Sequence, residues 1–192
     1  VKYDSVELIN NTDFDKESII EKIKSNPKII YIQRSCGYLY RTALNIAKIE
    51  DIIKEIRKVN KSSIIVVDNC YCEFVETKEP TEVGADVAVG SLIKNPGGSL
   101  VSNGGYVVGK KKYVDLISGR FTSPSLQKEV GSFENGYRLM FQGLFMAPHI
   151  VLQAKKGSML IGRVMSNLGY KTIDNTNNLA DIVRSIVFES KE

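Results

Sequence analysis

Short apolar runs and two longer periodic stretches organise the chain. Residues 29–33, IIYIQ, run apolar directly after Asn26-Pro27 and predict a buried strand. From 45 to 59, Ile46, Ile49, Ile52, Ile53 and Ile56 recur at helical spacing, while Lys48, Glu50, Lys54, Glu55 and Lys58 take the opposite face. That pattern predicts an amphipathic helix with Asn45 as its N-cap. The β-branched run 63–67 leads straight into Asp68 and predicts a strand covered on both faces. Further strands are expected over 85–90, 105–109 and 185–188. The stretch 147–169 predicts a long helix, with Pro148 near its first turn, Ile150, Ala154, Ile161, Val164 and Leu168 on its apolar side and Gly169 as its stop. Strands alternating with helices imply an α/β fold, a mostly parallel sheet flanked by helices.

Composition narrows the class without naming an activity. The chain has 192 residues, 43% hydrophobic and 25% charged, so one core of ordinary size needs neither disulfides nor a structural metal. The formal charge of +4 is spread along the chain apart from Lys110-Lys111-Lys112. That run is expected to be a solvated turn, so no nucleic-acid partner is expected. Cys36, Cys70 and Cys72 are too few and too unevenly spaced for a disulfide framework, and Cys70-x-Cys72 lacks the further ligands of a zinc site. They read as small buried thiols in a reducing, cytoplasmic setting. No apolar run approaches the ~18 to 20 residues of a membrane span, so no membrane partner is expected. The start at Val1 and the end soon after an apparent strand suggest a piece of a longer protein.

Candidate chemistry gathers where two apolar runs end. In open α/β sheets ligands bind beyond the carboxyl ends of the strands, and here those ends carry Asp68 and the segment Ser91-Leu92-Ile93-Lys94. A lysine amine and a nearby carboxylate are what pyridoxal phosphate (PLP) requires: the amine forms a Schiff base, and the acid keeps the pyridine nitrogen protonated. Ser91, on the same turn as Lys94, offers a hydroxyl to a phosphate. Ser-x-x-Lys also occurs in penicillin-binding enzymes with the serine as nucleophile, but no following Lys-Thr-Gly element is present. Nor is there a Walker A sequence. Asn95-Pro96-Gly97-Gly98 and Asn103-Gly104-Gly105 read as turns. His149 reads as a capping or packing residue, and the cluster Met140, Phe141, Phe145, Met146 as core or a subunit contact. Arg34, Arg41 and Arg120 could each bind a substrate carboxylate, Arg34 first among them.

Val67-Asp68-Asn69 with Ser91-x-x-Lys94 downstream resembles the cystathionine lyases and aminotransferases of PLP fold type I. The stretches IQRSCGY (32–38), VVDNCYCEFVETKEPTEVGADVAVGSLIKNPGG (66–98), GGYVVGK (104–110), FTSPS (121–125) and FMAPH (145–149) resemble more closely the methionine gamma-lyase-like family often called aluminium resistance proteins. The resemblance covers nearly the whole chain. It implies Lys94 as the Schiff-base lysine, Asp68 as partner of the pyridine nitrogen, Ser91 as a phosphate ligand and Tyr71 as a hydroxyl reaching the ring oxygen. It implies a carbon-sulfur lyase of methionine gamma-lyase or cystathionine beta-lyase type acting on a sulfur-containing amino acid, with a PLP-dependent aminotransferase, or a fragment that does not retain PLP, as alternatives. It further implies a homodimer or homotetramer. Residues 1–178 would be the central part of the PLP-binding large domain and 179–192 the start of a smaller C-terminal one. The family pattern has glycine where Cys72 stands and lysine where Cys36 stands.

Overall fold

A computed structural model describes residues 2–121, 129, 136–173, 179–188 and 190. A short antiparallel pair, β1 (Leu8–Ile9) and β2 (Asp13–Phe14), precedes α1 (Lys16–Ile23), whose first turn is capped by the Asp15 carboxylate accepting from Ser18 N at 3.0 Å. Then come β3 (Ile29–Gln33), α2 (Ile46–Val59), β4 (Ile64–Asp68), β5 (Val87–Ser91) and β6 (Gly105–Gly109). The Asn45 side chain accepts from Lys48 N at 2.9 Å, the cap its position predicted. Strand order is β3-β4-β5-β6; the first two pairings are parallel and the last is antiparallel, so the sheet is mixed with an antiparallel edge. The α/β class is as expected.

Every second residue of β3 and β4 seals one face. Ile32, Ile65 and Val67 pack with Ile49, Ile52, Ile53 and Ile56 of α2 and Ile23 of α1 into the main core, an area-driven association that needs no specific pairing. The other face differs from the two-sided burial expected of β4. Ile29 is 58% exposed and Tyr31 57%, and Ile64, Val66 and Asp68 are only partly buried. Period-two alternation of burial is what a sheet covered by helices on one side gives.

Beyond β6 the structure departs further. Lys111 and Lys112 do not form a solvated turn: they open α3 (Lys111–Phe121), while Lys110 pairs with Asp86 at 2.6 Å. The last helix, α4, spans Arg138–Asn167 and starts well before the expected 147, so Pro148 lies in its interior. A proline there removes one backbone donor and crowds the carbonyl four residues earlier, a local defect that the rest of a 30-residue helix outlasts. Gly169, at φ +90°, follows the C-cap as predicted. The Met140 to Met146 cluster is not core: Phe141 and Phe145 are exposed on α4, as is His149. The 185–188 strand is reduced to β8 (Ile186–Val187), paired antiparallel with β7 (Lys171–Thr172). Residues 122–125 of the FTSPS stretch lie outside the described residues.

Candidate active site at the carboxyl ends of the sheet

Asp68 ends β4 and Ser91 ends β5, with Asp68 in register with Val89, so the turn after β4 and the loop after β5 rise from neighbouring strands. Asp68 Oδ1 accepts from Cys70 N at 3.0 Å and Oδ2 from the Tyr31 hydroxyl at 2.7 Å. Burial pushes the Asp68 carboxyl up, but the Tyr31 hydroxyl, the Cys70 amide and the Lys94 charge outweigh it and hold the group below its ordinary range. Asp68 is therefore an anion at neutral pH. Lys94 Nζ lies 4.4 Å from the centre of the Tyr71 ring, a cation–π distance. Burial works against the ammonium, yet the Cys70 thiol, Tyr71 and Asp68 raise its pKa above the ordinary lysine value. The loop between them is short. Ser91 O accepts from Lys94 N at 3.3 Å, its Oγ accepts from Ile93 N at 3.4 Å, and Leu92 N donates to Gly104 O at 3.0 Å.

Asp68, Tyr71 and Lys94 thus come together, and Ser91 stands at the root of the lysine loop. Tyr31 is an addition. In the parallel register it pairs with Val66 and so shares the Asp68 face of the sheet; a strand tyrosine two positions from a register partner of the aspartate was the available signal.

Arg34 is a correction. It is 0% exposed, and each guanidinium nitrogen is committed: Nε to Leu44 O at 3.0 Å, one terminal nitrogen to Asn69 Oδ1 at 2.8 Å and the other to Glu76. Such a network fixes the sheet end and leaves no fork for a substrate carboxylate. Arg41 is likewise buried, donating to Thr42 O at 2.9 Å and Gln33 O at 3.1 Å. Arg120 is exposed near the end of α3. All three cysteines are free. Burial, aided by Asp181, pushes the Cys36 thiol up to about 12, and burial raises Cys72 well above its usual value, so both remain small neutral side chains. Among the described residues no group of three or more His, Cys, Asp or Glu could hold a metal ion, and no helix is long and apolar enough to cross a membrane.

A mixed α/β sheet with an anionic aspartate and a lysine at adjacent strand ends sets the class of the protein. Within it, the family model for methionine gamma-lyase matches residues 1–192, and the chain belongs to that family. It is 39% identical over its whole length to the uncharacterized protein YnbB of Bacillus subtilis, of which it spans 46%. It is similar in structure to a carbon-sulfur lyase involved in aluminum resistance from Clostridium novyi NT, with a TM-score of 0.92 at 40% identity, covering 98% of this chain and 45% of that one. Over 122 residues, 62% of this chain, it is 27% identical to the L-methionine gamma-lyase of Treponema denticola, of which it covers 29%. The chain spans about half the length of the curated relatives it matches.

Proposed function

We propose that this chain is the lysine-bearing part of a PLP-dependent carbon-sulfur lyase that acts on a sulfur-containing amino acid. The observation that carries the reading is the approach of Lys94 to Asp68 and Tyr71 at the ends of β4 and β5. The donor set fits the cofactor. Lys94 offers the amine, Asp68 is an anion suited to a protonated pyridine nitrogen, Tyr71 offers a phenol, and Ser91 offers a hydroxyl to the phosphate. PLP supplies an electron sink for charge developing at the substrate Cα. The residues of this chain hold and orient: Asp68 keeps its charge through the hydrogen bonds from Tyr31 and Cys70, and Lys94 at Nζ is the group available to move the Cα proton.

The resting Lys94 is an ammonium, so covalent capture of an aldehyde requires it to lose a proton. Fixing of PLP on Lys94 by borohydride is accordingly expected to speed up as pH rises from neutral. The full-length protein with PLP should give a visible absorption band and a borohydride-fixed label on Lys94, both lost in Lys94→Ala. A label that persists in that variant overturns the assignment.

A second reading is favoured by the commitment of Arg34 and Arg41 to protein partners: the 192-residue chain alone carries the lysine without a complete substrate site. Turnover by the 192-residue chain itself would exclude it. An aminotransferase is separated by its product, a keto acid without release of thiol and ammonia. Residues 179–192 as the beginning of a smaller second domain, a homodimer or homotetramer, and a cytoplasmic location belong to the same proposal.

A further inference from the structure

Glu73 lies two residues beyond Tyr71 and is a buried carboxyl that none of the roles above uses. Its Oε1 accepts from the Tyr106 hydroxyl of β6 at 2.8 Å, and this pair packs against Gly90 of β5. A Cβ at Gly90 would sit 2.5 Å from Glu73 Oε1 and 2.6 Å from Tyr106 Oη, so any larger residue there would have to displace this pair. Gly90 leads directly into Ser91 and the lysine loop. At the other end of that loop, Asn95, next to Lys94, donates through Nδ2 to the Glu73 carbonyl at 3.0 Å. One residue thus grips the chain on both sides of Lys94. Glu73 Oε2 and Asn95 Oδ1 are both buried without a hydrogen-bond partner.

We propose that Glu73 is a positioning residue for Lys94, its side chain clamping the strand that enters the lysine loop and its backbone holding the residue that leaves it. It works as a neutral acid. Two bare acceptors in one buried cluster are costly, and a proton on Glu73 turns one of them into a donor. The charged groups facing it agree: Asp68 at the end of β4 and Glu79 beyond the turn are both acidic, and Arg34 is spent on Glu76, Asn69 and Leu44. Burial, with those carboxylates, raises Glu73 to about 7 despite the hydrogen bonds from its own backbone amide and from Tyr106. Ionisation above that pH therefore places a buried negative charge beside two other carboxylates under the loop and loosens the clamp.

The proposal rests on Lys94 being the reactive lysine, but its test does not need the cofactor. Full-length protein without PLP is treated with trace acetic anhydride at pH 6, and acetylation of Lys94 is measured by mass spectrometry against the exposed Lys61. Glu73→Gln, which keeps the acceptor for Tyr106 and supplies a donor in place of the acid proton, should leave the ratio as in the natural protein. Glu73→Ala should raise it about tenfold as Lys94 leaves its anionic neighbours. From pH 6 to 8.5 the ratio should climb more steeply in the natural protein than in Glu73→Gln, which has no proton to lose. Where Glu73→Ala fails to fold, Tyr106→Phe removes the same grip and should raise the ratio as well. An unchanged ratio in Glu73→Ala or Tyr106→Phe, or a Glu73→Gln that behaves like Glu73→Ala, overturns the proposal. Absence of PLP binding in a protein that passes this test would instead count against the functional reading alone.

Discussion

Arg34 and Lys94, both at the carboxyl end of the sheet, are held in different ways. Arg34, just past β3, is fully buried, with every guanidinium nitrogen given to a protein acceptor. Lys94, in the loop past β5, keeps its ammonium beside a ring face and an anion, on the partly open side of the sheet. The first has spent its bonding capacity on the fold. The second has much of its own left, which is what a group intended for a ligand requires. A reading by residue type treats both as candidate ligand contacts; the count of satisfied donors separates them.

Substitution can break or sharpen that contrast. Ile52→Ala, on the sealed side of the sheet, should cost about 2 to 5 kcal/mol through lost packing and the cavity left behind. Arg34→Met leaves the buried Asn69 carbonyl without its donor and the half-buried Glu76 carboxylate with only Ile46 N, and should cost about 2 to 3 kcal/mol in denaturant unfolding. Tyr31→Phe is expected to cost about 1 kcal/mol and to move the Asp68 titration, followed by carboxyl NMR, up toward the ordinary carboxylate range. The sign follows from linkage: a carboxyl whose folded pKa is depressed contributes stability above its ordinary value and loses it as pH falls through the lowered one. Tyr31→Phe should therefore flatten the acid limb of the stability profile. Lys94→Met, by contrast, should change unfolding free energy by no more than about 0.5 kcal/mol. A large loss of stability there would mean that Lys94 is a structural cation like Arg34.

Much of the sheet was legible because its signals are local. The apolar runs of β3 and β4, the Asn45 cap, the isoleucine face of α2 and Gly169 as a helix stop each depend on residues within a turn or two of one another. Asp68 and Lys94 were legible as strand-end polar residues. What escaped depends on distant partners. Nothing within a few residues of Arg34 reveals that Asn69 and Glu76 await it, and Glu73 acquires its role from Gly90, Asn95 and Tyr106. The start of α4 was misplaced for a different reason: proline is favoured in a first turn, and Pro148 is the less common case of one retained inside a helix.

Gly143 of α4 meets Gly97 and Gly98 backbone to backbone, so closely that a Cβ at Gly98 would collide with Gly143 O and one at Gly143 with Gly97 O. Side chains normally act as springs between packed elements, absorbing small displacements by changing rotamer. Here the closest atoms are main-chain ones, with the Val101 side chain beside them. The segment immediately after Lys94 and a helix ~45 Å long at 1.5 Å per residue meet through their main chains. A bulky group introduced at Gly143 is therefore expected to shift the segment beside Lys94, and so to act on the position of an amine it never touches.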